Sequence, residues 1–179
     1  MKGLRLHQTT AAETFPVGRT FRIGDIAIHA CEIPHDAHQV ALRFESESGC
    51  LALVTDLGHV PKGLFRFLDG CDWLLLESNH DEEMLANGPY PATLKRRVGG
   101  RRGHLSNAQA SDLLAALPYA PSEVVLMHLS ETNNSAMMAR SSAEAALGHG
   151  TTRLRVAEQR RPLEIGSEQS GQLQLGLYG

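Results

Sequence analysis

Alternating and continuous apolar segments divide the chain into predicted strands. Alternation of apolar and polar positions predicts a hairpin over residues 21–33, which turns at Gly24 and Asp25, and a further strand over residues 40–45. Continuous apolar runs predict three buried strands, at residues 50–54, 73–76 and 124–127. Residues 154–157 and 173–177 have the pattern of terminal strands, whereas residues 1–17 are expected to be irregular.

Apolar positions at helical spacing predict helices between these strands. The predicted helices cover residues 61–68, 81–86, 93–98, 106–117 and 134–147. The helix from Ser106 is the best marked, because Ser106 and Gln109 form an S-x-x-Q capping box and Pro118 ends the helix. The glycine-rich stretch 99–103 just before it is expected to be flexible.

Three buried strands, each followed by a helix, predict an α/β fold with helices against a sheet, in one domain over residues 1–179. In such sheets, polar residues just past the carboxyl ends of the strands are the usual place for a site. Four predicted strand ends carry side chains that bind metals or move protons: His35, Asp36 and His38; Asp56; Glu77, His80 and Asp81; and His128.

Composition narrows the class of protein. Apolar residues make up 42% and charged residues 21%, and the net charge is −3, so nothing demands a nucleic acid or an acidic membrane as partner. Cys31, Cys50 and Cys71 show no C-x-x-C spacing and lie in apolar runs, which favours buried free thiols in a reducing cytosol. No apolar segment resembles a signal peptide or approaches a membrane span, so a cytoplasmic location is expected.

The strand-end residues suit a metal site better than other chemistries. The chain has no G-x-S-x-G, Walker A or G-x-G-x-x-G pattern, so a serine nucleophile or a glycine-rich phosphate loop is unsupported. Imidazole and carboxylate together suit zinc, iron or manganese. The alternative for each residue taken alone is a turn, a helix cap or a solvated loop position.

Five motifs then occur in a recognisable order. They are IPHDAH, VTDLG, LLLESNHDEEM, GHLSNAQA and VVLMHLS. Together they resemble the second half of the metallo-β-lactamase superfamily, and most of all its YycJ-like, ribonuclease Z-related branch of nuclease-type hydrolases. The resemblance covers about residues 20–135. It implies the carboxyl-terminal half of a four-layer αββα sandwich, with one mixed sheet and helices on one face.

The resemblance also implies roles for individual residues. His35 would be a terminal ligand of a first divalent ion, His128 of a second, and Asp56 would bridge the two, which would be zinc or manganese. His104 and Asp56 would be the catalytic residues, with His104 acting on the leaving group of a phosphodiester.

Further residues would support the ions or the substrate. Ser106 and Asn107, at the start of a helix, and the basic Arg96 and Arg97 would bind phosphate, although the basic cluster is equally compatible with a solvated face. The residues expected to orient the ligands or to lie near the substrate are Asp36, Glu77, His80 and Asp81.

One motif of the superfamily is absent: no H-x-H-x-D-H occurs in the chain. His35, Asp56 and His128 would give each ion only about half of the four ligands that zinc usually has, so metal binding by this chain is expected to be partial or weak. The interpretation is a carboxyl-terminal fragment or truncated product whose missing ligands lie elsewhere. The stretch HDAHQ is also atypical of the branch at His38 and Gln39.

The sequence therefore predicts a metal-dependent hydrolase, most simply an exonuclease-like phosphodiesterase, that is incomplete and inactive as this chain alone. Nucleic acid is the expected partner and a membrane is not. One alternative is a non-catalytic half-domain that folds by pairing with a second copy or with the missing amino-terminal half. The other alternative is a thioester or lactone hydrolase of the same superfamily.

Overall fold

One mixed sheet of seven strands organises the computed structural model, which describes residues 14–15, 17–148 and 150–166. The strands are β1 (Thr20–Ile23), β2 (Ile26–Ile33), β3 (Gln39–Ser46), β4 (Gly49–Val54), β5 (Trp73–Glu77), β6 (Glu123–Met127) and β7 (Arg153–Val156). They lie side by side in sequence order. The pairs from β1 to β4 are antiparallel, and those from β4 to β7 are parallel. The predicted strand at residues 173–177 lies outside the described residues, as do residues 1–13 and 16 of the segment expected to be irregular.

Helices connect the parallel strands, as parallel pairing requires. They are α1 (Lys62–Leu68), α2 (Glu82–Asn87), α3 (Ala92–Val98), α4 (Asn107–Ala115) and α5 (Ala136–Leu147). Side chains of α1, α4 and α5 pack against one face of the sheet, over the even-numbered residues of β4, β5 and β6. The predicted mixed sheet with helices on one face is confirmed. Within the described residues, no helix is both long and apolar enough to cross a bilayer.

The opposite face of the sheet carries a second, smaller apolar cluster. Its buried members are Leu51, Trp73, Leu75, Val125 and Ile165, with Phe44, Leu53 and Met127 only partly buried beside them. Among the described residues, no helical side chain belongs to this cluster. We call this surface the helix-free face.

Helix starts follow the capping chemistry of the sequence. Ser106 and Gln109 form the predicted capping box at the start of α4. Helix α5 begins two residues later than predicted, because the Ser135 hydroxyl accepts a hydrogen bond from the Met138 N–H and so occupies the N-cap position. Asp81 caps α2 in the same way, by accepting from the Met84 N–H.

Two expectations about packing are wrong. Cys31 is partly exposed, although Cys50 and Cys71 are buried. The stretch 99–103 is a close-packed turn instead of a flexible loop. A side chain at Gly103 would overlap the carbonyl oxygens of Arg97 and Val98, and one at Gly58 would overlap the backbone of Arg101. The glycines therefore allow close backbone approach, which the sequence alone does not distinguish from mobility.

Candidate metal centre

The predicted ligands and Glu77, which was expected to orient them, gather at the carboxyl ends of the strands. His35 follows β2, Asp56 follows β4, Glu77 ends β5 and His128 follows β6 directly. His104 reaches the same edge from the turn before α4. Asp56 and His128 have φ angles of 60° and 58°, in the left-handed region that L-residues seldom adopt. Backbone conformations of this kind cluster at functional sites, where the surrounding structure holds them in place.

Three imidazoles surround a single oxygen, Asp56 Oδ1. Its distance is 3.8 Å to His35 Nε2, 3.9 Å to His128 Nε2 and 3.6 Å to His104 Nδ1. The His104 ring lies between the other two, with ring centroids 5.0 Å from His35 and 5.2 Å from His128. The structure therefore brings together the four side chains that the sequence analysis assigned to metal binding and catalysis.

Glu77 fixes two of these rings from behind. Its side chain is fully buried, and its Oε1 accepts hydrogen bonds from Nδ1 of His104 and of His128, both at 2.8 Å. Its Oε2 accepts from the N–H of Leu57 at 2.8 Å and of Leu105 at 3.3 Å. A carboxylate has about four acceptor positions. All of those on Glu77 are used.

These contacts shift the pKa values of Glu77 and His128. Burial alone would raise the pKa of Glu77, but the hydrogen bonds from His104, His128 and the Leu57 N–H outweigh it and lower that pKa below its ordinary value. Glu77 is therefore ionised. The hydrogen bond to Glu77 raises the pKa of His128, against the effect of burial.

The hydrogen-bond partners also assign the ring tautomers. Nδ1 of His104 and His128 must carry the hydrogen that Glu77 accepts, and Nδ1 of His35 donates to the Gly103 carbonyl at 2.9 Å. In the neutral rings, each Nε2 then holds a lone pair. An imidazole fixed through Nδ1 by an acceptor is the arrangement found behind metal-binding histidines.

The donor set fits a divalent ion. Asp56, Glu77, His104 and His128 offer ligand atoms that all lie within 4.8 Å of one another. Because the acceptor positions of Glu77 are filled, we assign it to orienting the rings and not to binding the ion. His35, Asp56 and His128 then present imidazole nitrogen and carboxylate oxygen, which suit zinc or manganese.

The residues expected to bind phosphate form two groups, one buried within the fold and one at the surface. Ser106 and Asn107 are buried, at 1% and 5% exposure. The Ser106 hydroxyl donates to Glu82 and accepts from the Gln109 N–H, and the Asn107 side chain bonds to Ser78 and Asn134. Their polar groups are therefore occupied within the fold.

The basic residues remain at the surface. Arg96 and Arg97 are exposed, and Arg97 Nε donates to Asp36 Oδ2 at 2.5 Å. This ion pair lowers the pKa of Asp36 and raises that of Arg97, through the hydrogen bond between them. Asp36 is thus held beside His35.

His80 and Asp81 lie behind the site. His80 is 2% exposed, its Nδ1 has no hydrogen-bond partner among the described residues, and burial lowers its pKa. Asp81 is used as the cap of α2. Neither side chain is among the groups that surround Asp56 Oδ1.

Three groups that position the site were not predicted from the sequence. The Gln39 amide donates to Asp56 Oδ2 at 2.9 Å, the Gly103 carbonyl holds His35, and the Asn79 amide donates to the His128 carbonyl at 2.9 Å. Each contact spans at least 17 residues of sequence. No local pattern could have revealed them, although the atypical Gln39 in HDAHQ marked the right place.

A cleft of about 480 Å³ opens beside His128 on the helix-free face. Its floor includes Leu75, Val125 and Met127, and Arg160 and Arg161 also line it. The metal centre therefore has an apolar surface on one side and guanidinium groups nearby.

Comparison with known proteins identifies the family. The family model described as the beta-lactamase superfamily domain matches residues 2–129. That match covers more than half of the chain. The chain belongs to the metallo-β-lactamase superfamily. Its strand-end histidines and Asp56 are thus features of a metallo-β-lactamase sheet.

Curated relatives within the superfamily are named as nucleases. The chain is 35% identical over 135 residues to the exodeoxyribonuclease YycJ of Bacillus anthracis, a match that covers 74% of this chain and 51% of the relative. It is 34% identical over 143 residues to the exodeoxyribonuclease WalJ of Streptococcus pneumoniae (serotype 2, strain D39), covering 76% of this chain and 53% of the relative. The chain thus spans about half the length of these relatives.

Two solved structures, one of them titled as a metallo-beta-lactamase fold protein, share the fold. YhfI of Bacillus subtilis has a TM-score of 0.60 at 17% identity, over 80% of this chain and 52% of the other. Zinc-bound PqqB of Methylobacterium extorquens has a TM-score of 0.57 at 19% identity, over 81% of this chain and 52% of the other. At these identities the likeness concerns the fold alone.

Proposed function

We propose that this chain is the metal-binding part of a metal-dependent phosphodiesterase with exonuclease-like action on DNA. The observation that carries the proposal is the convergence of His35 Nε2 and His128 Nε2 on Asp56 Oδ1, at 3.8 and 3.9 Å. Divalent ions held by His35, Asp56 and His128 would supply positive charge for the phosphate oxygens and an activated water as nucleophile. The exodeoxyribonuclease names of the relatives support DNA as the substrate.

The chain's own residues would perform the remaining tasks. Glu77 holds His104 through Nδ1, which leaves Nε2 free to take up a proton and, from the imidazolium form, to pass it to the leaving oxygen. Arg96 and Arg97 offer charge to the nucleic-acid backbone from the exposed face of α3. Ser106 and Asn107 would contribute only through the position of α4, because their side chains are engaged within the fold.

Further ligands are part of this proposal. His35 and Asp56 would supply two ligands to one ion, and Asp56 and His128 two to the other, which is fewer than zinc usually takes. The complete enzyme would therefore add ligands from outside this chain, and the chain alone would have weak activity or none.

The test combines metal binding with DNA cleavage. Purified chain is expected to bind Zn²⁺ or Mn²⁺, and Asp56→Asn should abolish binding. Any cleavage of end-labelled single- or double-stranded DNA should require the metal, stop with a chelator and fall at least 100-fold in His128→Ala. Glu47→Gln, a change at an exposed carboxylate in the turn between β3 and β4, is the matched control and should have no effect.

Cleavage that persists unchanged in His128→Ala would come from another nuclease, and a chain that binds no metal would contradict the proposal. A thioester and a lactone, assayed on the same preparation, address the alternative hydrolase activities. Metal-dependent thioester or lactone cleavage without DNA cleavage would favour that alternative.

The helix-free face favours a second candidate function, a non-catalytic half-domain that pairs with a partner. Phe44, Leu53 and Met127 remain only partly buried there, beside a core of buried apolar residues. An apolar sheet face is stable when a second layer covers it. A second copy of the chain, or an amino-terminal half of the superfamily fold, would provide that layer.

A further inference from the structure

Cys50 and Cys71 meet at the end of the sheet opposite the metal centre. Their sulfur atoms lie 2.8 Å apart, and both residues are buried in the core on the helix side, at 7% and 2% exposure. Cys50 is the second residue of β4 and Cys71 precedes β5, whereas Asp56 and Glu77 lie at the other ends of these strands. The two thiols therefore form a cluster separate from the metal centre.

The backbone holds the two cysteines together. Gly70, with a φ of 68°, turns the chain after α1, and the Cys71 N–H donates to the Leu68 carbonyl. The Asp72 N–H donates to the Cys50 carbonyl at 2.8 Å, and the Asp72 side chain accepts from the Cys50 N–H at 2.9 Å. A disulfide bond is about 2.05 Å long, so the sulfur atoms need to approach by less than about 1 Å to form one.

Arg43 supplies positive charge beside the pair. Its Nη1 donates to the carbonyls of Phe67 and Asp69, at 2.9 and 2.6 Å, which fixes the guanidinium over the end of α1 and near both thiols. The hydrogen bond from Cys71 lowers the pKa of Cys50, and Arg43 lowers it further, against the effect of burial. The same hydrogen bond, together with burial, raises the pKa of Cys71. Cys50 is therefore the thiol that ionises first, and the thiolate is the form that attacks an oxidant.

We propose that Cys50 and Cys71 are a dithiol that hydrogen peroxide oxidises to an intramolecular disulfide between β4 and the start of β5. The alternative for buried thiols is an inert place in the core. The contact between the sulfur atoms and the nearby guanidinium favour oxidation, and the low exposure of both residues favours a small oxidant such as peroxide. The inference does not depend on the proposed metal-dependent function.

The reaction balances with peroxide as the oxidant. The Cys50 thiolate attacks one peroxide oxygen, the O–O bond breaks, and the leaving hydroxide takes up the proton that Cys50 had lost, so Cys50 becomes a sulfenic acid. The Cys71 sulfur then attacks the Cys50 sulfur, the S–O bond breaks, and the hydroxyl group leaves with the Cys71 proton as water. Two thiols and one peroxide give one disulfide and two waters, and the electron pair lost by the sulfur atoms reduces the peroxide.

The disulfide would tie down a segment that also serves the metal centre. It would close residues 50–71 into a loop that contains Asp56 and α1. Closing a loop restricts the unfolded chain and so stabilises the fold. We expect the oxidised chain to unfold at a urea concentration higher by about 0.5 M or more, and dithiothreitol to reverse the shift.

Peptide mapping of the peroxide-treated, metal-free chain tests the inference. The peroxide is removed, free thiols are alkylated in denaturant, and the chain is digested with trypsin, which cuts after Lys62 and Arg66 between the two cysteines. We expect residues 44–62 and 67–95 to be recovered as one linked pair. Its mass should be about 2 Da below the sum of the reduced peptides, and dithiothreitol should separate them.

Variants identify the thiols and the charge that promotes their reaction. Cys71→Ala should abolish the link, whereas Cys31→Ser, at a partly exposed thiol, is the matched control and should keep it. Arg43→Met should slow formation of the link by about fivefold or more. Arg66→Met removes the same charge from an exposed position of α1 and should leave the rate unchanged.

The unmodified chain alone can overturn the inference, so a variant that fails to fold does not obscure it. A link that forms only in urea would show that the pair is inert in the folded chain. Oxidation of Cys31 without any link between Cys50 and Cys71 would have the same meaning. Equal rates in Arg43→Met and Arg66→Met would remove the guanidinium from the mechanism, and thermal unfolding of each reduced variant checks its fold.

Discussion

At the residue scale, the site depends on backbone conformations that residue type alone does not predict. Asp56 and His128 have left-handed φ angles without being glycine or asparagine. A left-handed conformation costs an L-residue about 1–2 kcal/mol. These unfavourable conformations direct both side chains from the ends of β4 and β6 toward the same point, where local preference gives way to the site.

Comparison of glycine and alanine at two histidines tests this strain. His104 and His128 make the same 2.8 Å hydrogen bond to Glu77, but only His128 has positive φ. In the metal-free chain, His128→Gly should be about 1 kcal/mol more stable than His128→Ala. At position 104 the order should reverse, because glycine only adds freedom to the unfolded chain. Urea denaturation measures both pairs, and an equal glycine–alanine difference at the two positions would argue against strain.

A pH prediction follows from His80. Burial lowers the pKa of His80 below its ordinary 6.5, so between the two values the unfolded chain binds a proton that the folded chain does not. The contribution to stability is therefore present above pH 6.5 and is lost as the pH falls toward the lower folded pKa. His80→Leu should gain stability relative to the unmodified chain as the pH falls from 7.5 to 5.5, values chosen about one unit to each side of an ordinary histidine pKa.

Denaturation of the metal-free chain at each pH checks this expectation, and the difference between variant and unmodified chain cancels the opposing effect of His128. Substitution of His38, whose side chain is fully exposed, is the control for the loss of a histidine outside the core. A His80→Leu difference that stays constant with pH would show that His80 is protonated equally in the folded and unfolded chain.

At the element scale, local rules predicted what local interactions determine. The capping box at Ser106, the hairpin turn at Gly24 and the three buried strands depend on neighbours in sequence, and all are present. The role of Glu77 depends on His104 and His128, which are 27 and 51 residues away. Residue type and strand-end position suggested that Glu77 supports the ligands. The fact that it binds both rings requires the tertiary structure.

The turn at residues 99–103 connects α3 to the metal centre, because the Gly103 carbonyl accepts a hydrogen bond from His35. Substitution of Gly103 tests this connection. Gly103→Ala would overlap the carbonyl oxygens of Arg97 and Val98, so the turn must open and move the carbonyl that holds His35. We expect a loss of about 1–3 kcal/mol in unfolding free energy. We also expect Zn²⁺ affinity to fall by about tenfold or more.

Gly63→Ala is the matched control for this change. Gly63 lies inside α1 and a side chain there would meet nothing within 4 Å. That variant should gain about 0.5–1 kcal/mol in stability, because alanine favours a helix over glycine, and should bind Zn²⁺ unchanged. Parallel chemical denaturation and calorimetry measure both variants. Equal Zn²⁺ affinity in Gly103→Ala and Gly63→Ala would separate the turn from the metal centre.

At the scale of the whole molecule, the two faces of the sheet differ. Helices cover one face, whereas the helix-free face continues from Leu75 and Val125 across Leu51 and Phe44 to the strand pairs nearest β1. The continuous apolar runs in the sequence predicted that both faces of the central strands are apolar. These runs could not show that none of the described helices packs on one of the two faces, because that depends on where the connecting segments pack.

The partly exposed apolar side chains of the helix-free face should drive association of the isolated chain. Ile23 is 64% exposed and lines an apolar hollow on this side together with Ile28, Phe44 and Leu51. Burial of apolar area contributes roughly 25 cal/mol per Å², so pairing that covers these side chains favours a dimer. Sedimentation velocity at increasing concentration should therefore show a dimer or larger species, and Ile23→Asp combined with Leu53→Glu should shift it toward monomer.

Met137→Glu tests the specificity of that shift. Met137 is 74% exposed but belongs to α5 on the helix side, so a charge there should leave the association unchanged. Association weakened equally by both changes would indicate general stickiness, and a monomer at every concentration would exclude pairing of copies through this face.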